Sequence, residues 1–177
     1  SLINCRGRYC VRSLVRIGLQ SVAHETSPNL PASAGSGSVV EDDEDHAMLL
    51  IRCLEKCEVK NSISHVIDGE QALKYMHAEG EFSDRVLPNL ILLDLNLPRV
   101  SGHEVLAKLK SDPKTRAIPV VVLTTSNVES DRIRAYQEHV NSYVVKPFDP
   151  TRFRHVINSV CQYWAEINIQ SPTHSGS

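Results

Sequence analysis

The sequence predicts an α/β fold, a doubly wound parallel sheet of five strands with helices on both faces. Apolar runs typical of strands alternate with helical patterns along the chain, and such alternation gives a parallel sheet with right-handed crossovers. The run Leu90 to Leu93 has no polar face, which is typical of a strand buried on both sides. Asp94 follows it directly, and Pro98 stops any continuation of that strand.

Composition excludes several classes of partner. The 177 residues are 41% hydrophobic and 23% charged, as in a globular protein. No apolar run is long enough to span a bilayer, so we expect no membrane partner. After residue 40 there are 15 basic and 20 acidic residues, which argues against nucleic-acid binding. Five cysteines without a C-x-x-C pair indicate reduced thiols and a cytoplasmic location.

The chain divides into three parts by composition. Residues 1–38 contain arginines followed by a Ser-, Gly- and Pro-containing stretch, and we predict a disordered or non-native extension and linker, with a transit peptide as the alternative. Residues 39–166 form the predicted domain. Residues 167–177 are predicted to be a flexible tail.

Periodicity and turn residues place the individual elements. The predicted strands are Val39-Val40, Ser62 to Ile67, Leu90 to Leu93, Pro119 to Leu123 and Tyr143 to Val145. The predicted helices carry buried stripes or caps: Ala47 to Leu54, Glu70 to Ala78 after an Asp68-Gly69 turn, Ser101 to Lys110, a helix ending near His139, and one opened by Asp149 and Pro150 with Phe153, Val156, Ile157, Val160 and Trp164 on one side. A capping box at Ser126 and Glu129 is expected to open the fourth helix, with Ile133, Tyr136 and Val140 on one side.

Four predicted strands end in residues that carry chemistry. They are followed or closed by Glu41-Asp42, Asp94, Thr124 and Lys146, and the carboxyl ends of parallel strands share the edge where α/β sheets bind ligands. Clustered carboxylates repel one another unless a cation neutralises them, and oxygen ligands suit Mg²⁺. From the residues alone, Asp94 is a nucleophile, a metal ligand or a helix cap. A carboxylate beside Mg²⁺ and a lysine can accept a phosphoryl group.

The order of an acidic pair, an Asp94-x-x-x-Pro98-x-x-x-Gly102 run, a strand-end threonine and a Lys-Pro resembles the receiver domain of two-component response regulators. The resemblance implies a flavodoxin-like sheet with strand order 2-1-3-4-5. It implies that Asp94 is the phosphate acceptor and that Glu41, Asp42 and Asp94 hold Mg²⁺ together with the main-chain carbonyl of Asn96.

By the same resemblance, Lys146 and Thr124 assist phosphoryl transfer, Thr124 and Tyr143 form the conformational switch, and the Lys146–Pro147 peptide is cis. The implied function is that of a phospho-accepting protein in a His-Asp phosphorelay. A sensor histidine kinase phosphorylates it, its output is protein–protein contact, and it is not an enzyme beyond slow autodephosphorylation.

Shorter strings resemble the single-domain regulators that partner bacterial phytochromes. They are Thr124 to Ser126, His139 to Tyr143 and the late Trp164. This resemblance implies a phytochrome-type kinase and a possible homodimer through the last two helices and the last strand.

One departure from the family pattern concerns the first strand. Ala34 to Ser38 are small or polar, and only Val39-Val40 are apolar before the acids. Loss of apolar side chains at about 1.5–3 kcal/mol each is expected to weaken this strand and the geometry of Glu41 and Asp42. The alternative function is therefore a receiver-like interaction scaffold that takes no phosphate. A third alternative is a phosphatase with an aspartyl nucleophile. By resemblance, such enzymes carry a D-x-D motif after the strand. Asn96 stands here in place of the second aspartate, which speaks against a phosphatase.

Overall fold

The computed structural model describes residues 36–56 and 62–168, which form one layered α/β unit. The strands, in chain order, are β1 (Ser36–Val40), β2 (Ser62–Val66), β3 (Leu90–Leu93), β4 (Val120–Thr124) and β5 (Ser142–Val145). In the described residues these strands are parallel and lie in the order β2-β1-β3-β4-β5. The predicted fold class and strand order are confirmed.

Helices cover both faces of the sheet. They are α1 (Glu44–Lys56), α2 (Gly69–His77), α3 (Gly102–Ser111), α4 (Glu129–Gln137) and α5 (Pro150–Gln162), with a 3₁₀ turn at Gly80–Phe82 and a π-helical turn at Tyr163–Ile167. One core cluster joins the sheet to α2, α3 and α4; the other joins it to α1 and α5. Val39 and Val40 point into opposite clusters, as the alternation of a strand requires.

The first strand is longer than the sequence predicts. β1 starts at Ser36 rather than Val39, and every residue of it is buried and paired with β2. Backbone pairing does not need apolar side chains, and Asn89 adds to it: the Asn89 side-chain oxygen accepts from the Ser36 N–H at 2.9 Å, and the Asn89 N–H donates to the Ser36 carbonyl. Gly37 leaves room for Leu54, whose Cδ1 would lie 3.8 Å from an added Cβ.

Helix starts are set by local side-chain caps. Asp68 accepts from the Gln71 N–H and caps α2, and Asp149 caps α5 as predicted. The capping box lies at Ser101 and opens α3. The expected capping box at Ser126 is wrong, because α4 begins after Val128 without a side-chain cap.

The apolar side predicted for the fourth helix is only partly buried. Ala135 and Val140 are buried, but Ile133 is 50% and Tyr136 54% exposed. The helix is short and mostly polar, and the small Ala135, rather than the two larger apolar residues, belongs to the core cluster.

The predictions for the two ends of the chain fall mostly outside the described residues. Residues 1–35 of the predicted extension and residues 169–177 of the predicted tail are not among them, whereas Ser36 to Ser38 belong to β1. Within the described ranges, no helix has the length and apolarity needed to cross a bilayer.

Candidate functional site

The backbone ladder carries the site residues one step past the strand ends. The Glu41 N–H donates to the Val66 carbonyl at 3.1 Å, and the Asp94 N–H donates to the Val40 carbonyl at 3.0 Å. The Lys146 N–H donates to the Thr124 carbonyl at 2.7 Å. Hydrogen bonds to neighbouring strands therefore fix where these side chains leave the backbone, and all of them leave it at the same edge of the sheet.

Lys146 bridges two of the carboxylates. Its Nζ lies 2.6 Å from Glu41 Oε2 and 2.6 Å from Asp94 Oδ2. All three side chains are buried. Removing two acids and one base from water is expensive unless they pair closely, and this bifurcated contact offsets part of that cost.

Glu41 titrates far from its usual range. Its side chain is 1% exposed, and burial raises the pKa of Glu41 to about 7, against the opposing effect of Lys146. Asp94 and Asp42 raise that pKa further. A proton or a second cation is therefore needed to neutralise this carboxyl group fully.

The third carboxylate makes a site that fits a divalent cation. Glu41, Asp42 and Asp94 each offer an oxygen, and these oxygens lie within 4.8 Å of one another. Asp42 is exposed, unlike the other two. Hard oxygen donors with access to solvent suit Mg²⁺, which keeps several of its waters. The donor set and its excess negative charge fit such an ion.

Asn96 connects Asp94 to the hydroxyls at the end of β4. Its N–H donates to Asp94 Oδ1 at 3.0 Å. Its side-chain amide donates to Thr125 Oγ1 at 3.1 Å and to Thr124 Oγ1 at 3.4 Å. Thr124 Oγ1 also accepts from the Ser126 N–H at 3.2 Å, so Asn96 and Ser126 together hold the Thr124 hydroxyl in place.

Tyr143 reaches the same loop from β5. Its hydroxyl donates to the Ser126 carbonyl at 3.1 Å, and burial raises the pKa of Tyr143. Ser126 Oγ in turn donates to Asp131 Oδ2 at 2.5 Å. Ser126, the residue expected to cap α4, thus links α4 to Thr124 at the end of β4 and to Tyr143 in β5.

Two histidines near the acids were missed in the sequence. His46 Nδ1 lies 3.6 Å from Glu41 Oε1, and its ring meets Phe153 edge-on at 5.3 Å. His65 Nε2 lies 2.8 Å from the Glu41 carbonyl oxygen. The position of His46 directly after the acidic run Glu41 to Asp45 was a usable signal. The position of His65 depends on the register of β2 against β1.

The expected cis peptide is not found. No peptide bond among the described residues is cis, so Lys146–Pro147 is trans here. An X-Pro bond prefers trans by only about 0.5–1 kcal/mol, and the sequence does not specify the isomer.

The fold and this cluster of charges define a class: a doubly wound sheet with three acids, a lysine and a threonine at its carboxyl edge. The response regulator receiver domain matches residues 38–158. The chain belongs to that family, which serves two-component signalling.

Relatives and solved structures agree with this placement. The probable methanogenesis regulatory protein FilR2 of Methanothrix harundinacea is 44% identical over 126 residues, covering 71% of this chain and 81% of the relative. The response regulator Rcp1 of Synechocystis is 38% identical over 128 residues, covering 72% of this chain and 87% of the relative.

Among solved structures, the phosphorylated cyanobacterial phytochrome response regulator RcpA superposes with a TM-score of 0.76 at 36% identity, over 78% of this chain and 99% of that one. The Mn²⁺-bound form of Rcp1 also superposes with a TM-score of 0.76, at 35% identity, over 77% of this chain and 99% of that one.

Proposed function

We propose that this receiver domain takes a phosphoryl group on Asp94 from a partner histidine kinase, in the cytoplasm, with Mg²⁺ held by Glu41, Asp42, Asp94 and the main-chain carbonyl of Asn96. The observation that carries the proposal is the contact of Lys146 with both Glu41 and Asp94. A helix cap needs no buried lysine, whereas an acceptor whose charge changes does.

The chemistry is a direct transfer. An Asp94 oxygen attacks the phosphorus of a phosphohistidine; a new O–P bond forms as the N–P bond breaks, and the electron pair returns to the imidazole nitrogen, which takes up a proton. Lys146 would offset negative charge on the phosphoryl oxygens, and the Thr124 hydroxyl would donate a hydrogen bond to one of them. Bound Mg²⁺ supplies the remaining positive charge.

The chain is then a switch rather than an enzyme, because the product stays on Asp94 until slow hydrolysis removes it. Thr124 and Tyr143 are the residues we assign to the switch. Both contact Ser126, so movement of Thr124 toward a phosphoryl group breaks its bond from the Ser126 N–H. Such a change gives a two-state element that a local charge can bias.

We assign the partner kinase to the phytochrome type, because several of the similar structures are phytochrome or bacteriophytochrome response regulators. We also propose that α4, β5 and α5 pair with a second copy. Exposed apolar side chains on and before α4, namely Val128, Ile133 and Tyr136, support that occupant.

Labelling with a small phosphodonor tests the acceptor. Acetyl phosphate and Mg²⁺ should give a mobility shift on a phosphate-affinity gel, with acetate as the leaving group. Asp94→Asn should abolish the shift, EDTA should suppress it, and Asp84→Asn, at an exposed aspartate away from the site, should leave it unchanged. Normal kinase binding without labelling would support the scaffold alternative instead, and steady turnover of an unrelated phosphoester would support the phosphatase.

Light scattering tests the dimer. The mass should double on phosphorylation, and Ile133→Asp should prevent the doubling while Val86→Asp, at another exposed apolar site, should not. An unchanged mass in the phosphorylated wild type would contradict this assignment.

A further inference from the structure

The loop that follows Asp94 is braced against the start of α2. The loop runs from residue 95 to residue 101, between β3 and α3. The Val100 carbonyl lies so close to Gly69 that a Cβ on that glycine would sit 2.0 Å from the oxygen. Next to this contact, Arg99 Nη1 lies 3.4 Å from Asp68 Oδ2 and 3.5 Å from Glu70 Oε2. Two adjacent loop residues therefore meet the turn that opens α2.

Arg99 adopts an unfavourable backbone conformation. Its φ is +65°, in the left-handed region that glycine and asparagine tolerate best. Strain of this kind persists only where the surroundings over-determine it, and it collects at functional sites. The Arg99 side chain is 62% exposed, so packing of an apolar stem does not account for the choice of residue.

Asp68 gives a reason for a cation at this position. Its side chain is 2% exposed, and Oδ1 accepts from the Gln71 N–H as the cap of α2. Oδ2 is buried and accepts no hydrogen bond from the described residues. A buried carboxylate oxygen needs a facing cation, and the Arg99 guanidinium is at the right distance to supply it.

The loop transmits its position directly to the acceptor. The Asn96 N–H donates to Asp94 Oδ1 at 3.0 Å, and the Gly102 N–H closes the far end of the loop on the Leu95 carbonyl at 3.0 Å. A shift of the loop therefore turns the Asp94 carboxylate and displaces Asn96.

We propose that Arg99 is a positioning residue for phosphoryl transfer: its ion pair with Asp68 holds the 95–101 loop in the one conformation that orients Asp94. This inference rests on the proposed role of Asp94 as the acceptor. It assigns the guanidinium charge, rather than the backbone conformation alone, as the feature that matters.

Initial rates of labelling by acetyl phosphate, measured against its concentration, test the proposal. Arg99→Gln and Arg99→Gly should each lower the rate at saturating donor about five- to tenfold with little change in KM, because a misplaced reacting group loses rate rather than donor affinity. Arg99→Lys should keep most of the rate. Arg99→Gly is the most informative variant, because it removes the charge while relieving the backbone strain and so separates the two effects.

Asp68→Asn completes a double-mutant cycle. Asparagine caps helices as well as aspartate does, so α2 stays capped while the charge is lost. The rate should fall about as far as in Arg99→Gln, and the double variant should be no slower than either single one, to within about twofold.

Lys74→Gln is the matched control, because Lys74 Nζ pairs with Glu70 at 2.7 Å on the surface of α2 without touching the loop. Its rate should equal that of wild type. Wild-type rates in Arg99→Gly or in Arg99→Gln would overturn the inference, as would an equal loss in Lys74→Gln. A wild type that is not labelled at all, or labelling that survives in Asp94→Asn, refutes the proposed acceptor instead, so the two failures are distinguishable.

Discussion

Two serines on β1 should respond to alanine with opposite signs. Ser36 and Ser38 are two residues apart, so their side chains leave the strand on the same face, and both are buried. The Ser36 hydroxyl donates to the Leu87 carbonyl at 2.8 Å. Ser38 Oγ is also buried, but it has no hydrogen-bond partner among the described residues. Comparing the two serines therefore separates the stabilisation by a hydrogen-bonded buried hydroxyl from the cost of burying a hydroxyl without a partner.

The magnitudes follow from hydrogen-bond energetics. A buried polar group without a partner costs about 1–3 kcal/mol, and a satisfied bond contributes a net ~1 kcal/mol. Ser38→Ala removes the first cost and loses little volume, so the free energy of unfolding should rise by about 1 kcal/mol. Ser36→Ala should lower it by about 1 kcal/mol and leave the Leu87 carbonyl unpaired.

Urea unfolding followed by far-UV circular dichroism, without divalent cations, measures both variants. The midpoints should move in opposite directions at an unchanged m-value, because stability changes and compactness does not. If Ser38→Ala loses as much stability as Ser36→Ala, the Ser38 hydroxyl is satisfied and the reasoning about this strand is refuted.

Four further predictions concern the charged edge and the loop beside it. Because burial raises the pKa of Glu41 to about 7, Mg²⁺ affinity measured by calorimetry should rise up to about tenfold per pH unit below pH 7 and level off above pH 8; a flat profile would contradict this. In the metal-free protein, the stability that protonated Glu41 contributes should be fully present below pH 4.5, which is the usual pKa of this group. It should be lost as the pH rises through about 7, the raised pKa of Glu41. Lys146→Met should lower stability by about 3 kcal/mol at pH 8 and by less at pH 5.5, where Glu41 is protonated; an equal loss at both values would argue against the ion pair. Gly102→Ala should cost about 2–4 kcal/mol, since its Cβ would lie 2.1 Å from the Asp94 carbonyl oxygen, whereas Gly37→Ala meets only Leu54 at 3.8 Å and should leave the urea midpoint nearly unchanged.

Much of the charged edge could be predicted because a parallel sheet converts sequence order into position. Once each apolar run is a strand, the residue after it lies at the carboxyl edge. That rule alone brought Glu41, Asp94 and Lys146 together, although Lys146 lies 105 positions along the chain from Glu41.

The predictions that were wrong concern features that depend on backbone geometry, which the composition of a segment does not specify. Ser36 to Ser38 look like linker, but parallel pairing on both sides and Asn89 recruit them into β1. Ser126 followed by Glu129 has the letters of a capping box, yet Ser101 and Glu104 form the real one. Many serines match the pattern, and only the dihedral angles at the helix start decide which one caps.

Arg99 illustrates the same limit at the site itself. Nothing in the run from Asp94 to Gly102 marks position 99 as left-handed, because the residue is neither glycine nor asparagine. It accompanies two contacts between turns distant in sequence, the approach of Val100 to Gly69 and the ion pair of Arg99 with Asp68.

The balance of charge at the edge connects the fold to the proposed switch. Three carboxylates face one ammonium, and two of the three are buried. Folding alone leaves this edge under-neutralised, which is why burial and the neighbouring acids raise the pKa of Glu41 instead of leaving it ionised. A divalent cation would restore the balance, and a phosphoryl group on Asp94 would disturb it again beside the Thr124 hydroxyl. Because these groups sit on rigid strand ends, the disturbance is relieved most readily by the loops that carry Asn96 and Ser126, and those are the loops that reach α2, α4 and Tyr143.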